Sequence, residues 1–116
     1  MFGLGNSISV YLMPGYTDMR KGVFTLASLS EEITKKNFLE GSLFVFMGKR
    51  RDKVKIVYWD KNGFCLWQKV LDKEKFWWPK NSQEVKQMTV RELEWLLEGL
   101  NLSNVSGHKK LDCKMI

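Results

Sequence analysis

The pattern of hydrophobic and polar positions predicts four β-strands and one shorter strand at a sheet edge. Residues 8–12, 54–59 and 64–70 alternate with a period of two, which is the period of a half-buried strand. Residues 43–47 form a continuous apolar run, and its length and aromatic content favour a buried strand over a helix. Phe76-Trp77-Trp78-Pro79 would form the edge strand, which the proline ends.

A first helix is predicted between the first two strands. Pro14-Gly15 ends the strand before it. Thr17 or Asp18 would cap the helix, because either side-chain oxygen can accept a hydrogen bond from the first turn. The apolar residues at helical spacing are Val23, Leu26, Ala27 and Ile33.

A hairpin and a second helix are indicated by local signals. Asn62-Gly63 predicts a type I′ turn, which needs positive φ at both central residues. Thr89 and Glu92 have the spacing of a capping box, and Gly99 suits the position after the last helical turn. The apolar stripe of this helix consists of Leu93, Leu96, Leu97 and Leu100.

The resulting order, β-α-β-β-β-(β)-α, indicates an α+β fold. We expect a three- to four-stranded, mainly antiparallel sheet with both helices packed on one face. Residues 1–102 would form a single domain, which is an ordinary size, and residues 103–116 a flexible polar tail.

Composition adds a basic character that is concentrated in the middle of the chain. The 116 residues include 19 Lys and Arg against 13 Asp and Glu, a net charge of +6. Residues 1–48 are electrically balanced, whereas residues 49–86 hold eleven basic and five acidic side chains. A local basic surplus with fifteen aromatic residues in the chain points towards a nucleic-acid partner.

The densest cations lie in the loop between the second and third predicted strands and at the start of the third: Lys49, Arg50, Arg51, Lys53 and Lys55. Arg20 and Lys21 add two more near the start of the first helix. All seven are candidate phosphate contacts. The alternative is that the loop is a solvated turn whose charges protect the strands from edge pairing, and that Arg20 and Lys21 pair with acids such as Asp18.

Two tryptophans are candidates for a partner or base-stacking surface. Strand alternation predicts that Trp59 and Trp67 share a face with Lys55 and Lys69, away from the helices. Aromatics interleaved with lysine are typical of single-stranded nucleic-acid binding. The alternative is that these rings cover the core or form a protein interface.

The sequence indicates neither an enzyme nor a cofactor. The one histidine, His108, lies in the polar tail, and Cys65 and Cys113 belong to no metal-binding pattern. We therefore expect no catalytic residue, no metal and no cofactor. No apolar run is long enough to span a membrane, and residues 1–9 lack the pattern of a signal peptide, so a cytoplasmic protein is expected.

Residues 17–22 read TDMRKG, and this stretch resembles a signature of the small accessory protein of IS66-type insertion sequences, which is labelled TnpB. The resemblance continues in the same order along most of the chain. It includes residues 41–46 (GSLFVF), 49–55 (KRRDKVK), Trp59-Asp60, residues 62–64 (NGF), Lys69, residues 76–79 (FWWP) and 96–99 (LLEG).

The resemblance implies a non-catalytic factor that assists transposition beside a separate, larger transposase. Its expected partners are the DNA of the element ends, the transposase, or both, in a bacterial cytoplasm and at the nucleoid. One hypothesis is DNA contact through the basic loop. The other is a purely protein-binding module that docks on the transposase through a Trp-rich face. The sequence leaves open whether the protein forms homo-oligomers.

Overall fold

The computed structural model of the protein describes residues 8–35, 41–80 and 83–103, which form one sheet and two helices. The strands are β1 (Ser9–Leu12), β2 (Ser42–Met47), β3 (Lys53–Asp60), β4 (Gly63–Val70) and β5 (Lys86–Met88). The helices are α1 (Val23–Thr34) and α2 (Val90–Leu97). The predicted polar tail lies outside the described residues except for Ser103.

The sheet is mixed, with the strand order β4-β3-β2-β1-β5. Strands β1 and β2 are parallel because α1 crosses over between them, and the other three pairings are antiparallel. The predicted α+β class is therefore confirmed, with a mainly antiparallel sheet. The sheet has five strands instead of three or four.

The two helices lie on opposite faces of the sheet, so the prediction that both pack on one face is wrong. Val10 and Leu12 share a core with Leu93 and its neighbours on α2. Tyr11 and Met13, which alternate with them, share a second core with Leu26 on α1. Because the central strands are apolar on both sides, each face needs a helix to cover it.

Helix α2 begins as predicted, whereas α1 does not. Thr89 Oγ1 accepts from the Glu92 amide at 3.1 Å, and Glu92 Oε1 accepts from the Thr89 amide at 2.8 Å, which completes the capping box. Gly99 follows the helix with a φ of 92°. At α1 the N-cap is Gly22, without a side-chain cap, so neither Thr17 nor Asp18 caps it.

The hairpin between β3 and β4 uses a different turn from the one predicted. Asp60 pairs with Gly63, so the two loop residues are Lys61 and Asn62. Among these four residues only Lys61 has positive φ, at 57°. The predicted type I′ turn centred on Asn62-Gly63 is therefore wrong, because the two-residue loop lies one position earlier in the chain.

The segment from Leu71 to Pro79 has no regular secondary structure, so the predicted edge strand at residues 76–79 is wrong. Phe76 is 0% exposed and Trp78 2% exposed, and both belong to the core on the α2 side. The Trp78 indole Nε1 donates to the Gly15 carbonyl at 2.9 Å. Aromatic burial and this hydrogen bond replace strand pairing here.

We predict that Trp78→Phe lowers the free energy of unfolding by about 2 kcal/mol. The substitution removes a buried hydrogen bond, leaves the Gly15 carbonyl without its donor and opens a small cavity. Chemical denaturation followed by circular dichroism measures the change. Trp95→Phe is the size-matched control, since Trp95 is only partly buried. Equal losses in the two variants would contradict the role given to the Trp78 hydrogen bond.

Candidate nucleic-acid interface

Three chain segments meet at one end of the sheet, where β1, β2 and β4 end and β3 begins. They are residues 13–22, 48–53 and 71–79, and we call their shared surface the basic end. The Thr17 amide donates to the Met47 carbonyl at 2.8 Å. Two hydrogen bonds join the middle segment to the third. The Leu71 amide donates to the Asp52 carbonyl at 2.7 Å, and the Phe76 amide donates to the Arg51 carbonyl at 2.6 Å.

The turn between β2 and β3 is held in one shape by its own backbone. The Gly48 amide donates to the Lys53 carbonyl at 3.0 Å, and the Arg51 amide donates to the Gly48 carbonyl at 2.9 Å. Arg51 has a φ of 61°. A Cβ atom at Gly48 would lie 2.7 Å from the Met19 Cγ, so glycine allows the turn to approach residues 13–22. The cations of the turn are thus presented from a fixed backbone.

The basic end carries eight cationic and four acidic side chains, a net charge of +4. The cations are Arg20, Lys21, Lys49, Arg50, Arg51, Lys53, Lys73 and Lys75. Lys49 and Arg50 are exposed at the tip of the turn, and Arg51 and Lys53 are half-buried. Within the described part of the chain, these four side chains form no ion pair with an acid. Their charge is therefore available to an anionic partner.

Lys73 and Lys75 were not recognised as members of this site from the sequence. Both are exposed, and they lie on the segment whose Leu71 and Phe76 amides bond to the turn. In the sequence they alternate with Asp72 and Glu74, which is the pattern of an ordinary solvated loop. Only the two long-range backbone hydrogen bonds reveal that they lie near Arg51.

Arg20 is held by Asp18, as the alternative interpretation of this motif predicted. The guanidinium Nε donates to Oδ1 at 3.0 Å and Nη2 donates to Oδ2 at 2.8 Å, while the Arg20 amide also donates to Oδ1 at 2.9 Å. These hydrogen bonds hold the pKa of the Asp18 carboxyl well below its usual range. The Arg20 side chain remains 91% exposed, so its outer face is open to solvent.

Lys55 does not lie where a phosphate could reach it. Its side chain is buried, with 8% exposure, and its Nζ donates to the Lys21 carbonyl at 3.0 Å. The strand β3 therefore uses this cation to hold the segment before α1 against the sheet. The run of basic residues around Lys55 predicts an exposed side chain, but the alternation of β3 directs the Lys55 side chain to the α1 face.

Trp59 and Trp67 lie on opposite faces of the sheet, so the prediction that they share one is wrong. Ile56 pairs with Trp67, which places Trp67 on the α2 face. Trp59 pairs with Phe64 on the α1 face, where their rings are 4.9 Å apart and nearly perpendicular. The two tryptophans cannot form a single stacking platform.

Lys69 lies on the α2 face with Trp67 and is also used within the fold. Its Nζ donates to the Leu97 carbonyl at 2.9 Å. That carbonyl is in the last turn of α2, where a positive charge interacts favourably with the helix dipole. Lys69 therefore stabilises the end of α2.

The described residues contain no group of three or more His, Cys, Asp or Glu side chains placed to hold a metal ion. None of their helices is long and apolar enough to cross a membrane. Cys65 is a free thiol, while Cys113 and His108 lie outside the described residues. Among the described residues, the candidate functional groups that lie close together are thus the cationic side chains of the basic end.

Comparison with known proteins gives a family. The family model described as IS66 Orf2 like protein matches residues 8–107. In Sinorhizobium fredii (strain NBRC 101917 / NGR234), the uncharacterized protein y4hO is 36% identical over 101 residues, which cover 87% of this chain and 88% of that protein. The uncharacterized protein y4jC of the same strain is 29% identical over 105 residues, 90% of each chain.

No solved structure matches the chain. The family match covers the whole described fold, including the three segments of the basic end. The chain therefore belongs to the family of IS66 Orf2-like proteins, whose role is accessory to the transposition of insertion sequences.

Proposed function

We propose that this protein is a non-catalytic accessory factor that binds the DNA of its element during transposition. The observation that carries the proposal is the basic end, where backbone hydrogen bonds bring three segments together with eight cations against four acids. Such a surface matches a chain of phosphates, because phosphate contacts need fixed cations and no specific base edge.

The binding surface centres on the turn between β2 and β3. Lys49 and Arg50 at its tip would contact phosphates first, with Arg51 and Lys53 beside them. Arg20 and Lys21 extend the surface along the segment before α1, and Lys73 and Lys75 extend it on the other side. Lys55 is left out, since its amine is used within the fold.

The transposase is the second partner in this proposal, and the protein performs no chemical step itself. It would position DNA for a catalytic protein encoded beside it. Such a factor would act in the bacterial cytoplasm, at the nucleoid. No metal or cofactor is required for phosphate contact by lysine and arginine.

We predict that the variant K49Q/R50Q/K53Q binds element-end DNA more weakly and with a smaller salt dependence. Each lost phosphate contact on duplex DNA should reduce the slope of log K against log salt by about 0.9. Fluorescence anisotropy with labelled duplex, titrated from low to physiological salt, measures both quantities.

The matched control is K35Q/K61Q/R91Q, which removes the same charge from exposed positions at the end of α1, in the β3–β4 turn and in α2. This variant should keep most of the salt dependence of the wild type. Equal slopes for both triple variants would show that net charge, and not the basic end, attracts the DNA. Unchanged binding of K49Q/R50Q/K53Q would refute the assignment.

We predict that Lys55→Met lowers stability without changing the salt dependence of DNA binding. The substitution leaves the Lys21 carbonyl without its donor, which should cost about 1–3 kcal/mol of unfolding free energy. Denaturation and the same anisotropy titration, performed well below the unfolding transition, separate the two effects. A slope reduced by Lys55→Met would indicate that this amine contacts phosphate after all.

A second candidate function is a purely protein-binding module that docks on the transposase. The observation in its favour is an aromatic cluster on the α1 face, formed by the exposed Phe24 and the half-buried Phe64 and Trp59. Phe24 is 74% exposed, and its ring centroid lies 6.0 Å from that of Phe64 in an edge arrangement. An exposed aromatic ring such as Phe24 is a typical anchor of a protein interface. Trp59 belongs to this cluster, and Trp67 does not.

We predict for this candidate that Phe24→Gln reduces co-purification with the cognate transposase by about tenfold or more, the effect of truncating an interface anchor. Ile33→Gln is the control, because Ile33 lies on the same helix and is 37% exposed. The measurement is made after nuclease treatment and at moderate salt, so that shared DNA cannot link the two proteins. Retention of the Phe24→Gln variant at the level of Ile33→Gln would exclude docking through this cluster.

A further inference from the structure

Strand β4 is an edge of the sheet, and it is long and regular. All eight of its residues pair with β3 without interruption, from Asp60↔Gly63 to Lys53↔Val70. Among the described residues, no strand pairs with its other side. The opposite edge, β5, has only three residues. A short edge strand offers little for pairing, whereas an eight-residue edge presents a template for another strand.

The backbone groups that face this outer edge can be identified. The Leu71 amide donates to the Asp52 carbonyl at 2.7 Å, which continues the register of the β3–β4 pair. Hydrogen-bonded pairs alternate in an antiparallel ladder, so the odd-numbered residues of β4 bond to β3. The amides and carbonyls of Leu66, Gln68 and Val70 therefore point outward.

Within the described residues, this edge lacks the proline, bulge and outward charge that commonly prevent pairing. Strand β4 contains no proline, and its register with β3 has no bulge. Its one charged residue, Lys69, is turned to the α2 face and held by the Leu97 carbonyl. Although the chain has a net charge of +6, this edge strand could approach a copy of itself without strong charge repulsion. Leu66 and Val70 are 39% and 53% exposed beside the edge.

We infer that two copies of this protein pair through β4 in antiparallel orientation, with the two-fold axis at Trp67, to form a continuous ten-stranded sheet. This register is the one that pairs all the outward-facing residues from position 64 to position 70. The inference is independent of the proposed function, because it rests on the sheet edge and not on the basic end.

The cross-strand pairs of this register are favourable on both faces. Trp67 meets Trp67 of the second copy, and Phe64 meets Val70 of the second copy. Aromatic–aromatic and aromatic–β-branched pairs are stabilising cross-strand combinations. Leu66 faces Gln68, and Cys65 faces Lys69, so no two like charges are opposed. An isologous contact of this kind closes on itself and produces a dimer.

The pairing of Cys65 with position 69 of the second copy provides a direct test. Odd-numbered residues would form non-hydrogen-bonded pairs across the new junction, with Cα atoms about 4.5 Å apart, which is within disulfide range. Within one copy these two positions are separated by four residues of extended strand, about 13 Å, and cannot be bridged.

We predict that Lys69→Cys, made in a C113S background, forms a covalent dimer under mild oxidation at micromolar concentration. Non-reducing electrophoresis and mass spectrometry of the linked peptides identify the bond. Lys69→Ser in the same background loses the same hydrogen bond to Leu97 and should remain uncrosslinked.

A C65S/K69C variant that still crosslinks to the same extent would overturn the register. A Lys69→Cys variant that forms no disulfide between positions 65 and 69 of the two copies would overturn it too.

Association without a crosslink gives the second measurement. The full chain should sediment as a concentration-dependent dimer, and Gln68→Pro should weaken its association by about tenfold or more, because it removes an outward amide without removing a bond to β3. Gln68→Thr, which keeps the amide, is the control. A wild-type chain that sediments as a monomer at about 100 μM, or a folded Gln68→Pro variant that dimerises as well as Gln68→Thr, would refute the inference.

Discussion

The constraint on which the structure depends is that β2 is buried on both faces. Residues 43–47 are each at most 1% exposed, so neither face of the central strand can be left to solvent. One helix must cover each side, and the connection from β1 to β2 through α1 makes these strands parallel. Parallel strands end at the same edge, so residues 13–22 emerge beside the β2–β3 turn. The basic end is therefore a consequence of core burial.

The position of the cations depends on backbone hydrogen bonds more than on ion pairs. Three lysines of the basic middle region serve packing instead: Lys55 bonds to the Lys21 carbonyl, Lys69 to the Leu97 carbonyl, and Lys86 lies 6.0 Å from the Trp77 ring centroid. Burial lowers the pKa of Lys86, while Glu92 acts in the opposite direction. The charge surplus of the sequence is thus divided between internal contacts and a displayed surface.

The sequence predicts elements well where the signal is local. The strand at residues 43–47, the Thr89 capping box and the position of Gly99 after the last turn of α2 are all found. It fails where tertiary contacts decide the outcome. Residues 76–79 have the sequence pattern of an edge strand, yet Phe76 and Trp78 are buried in the core. Thr17 has the side chain of a helix cap, yet its amide bonds to the Met47 carbonyl before α1 begins. Of the candidate site, the turn cations could be predicted, whereas Lys73 and Lys75 required the folded connection to Arg51.

The β3–β4 register, which places Trp59 and Trp67 on opposite faces, also separates the basic end from the outer edge of β4. Because Trp67 pairs with Ile56, the side chains of Trp67 and Lys69 both face α2. The outer edge of β4 is therefore nearly neutral. The cations lie beyond the end of the strands, and the edge runs along their length. A partner at the basic end and a strand along β4 would therefore approach from different directions. In an antiparallel β4 pair the two basic ends would point in opposite directions, so one dimer could contact two separate stretches of phosphate backbone.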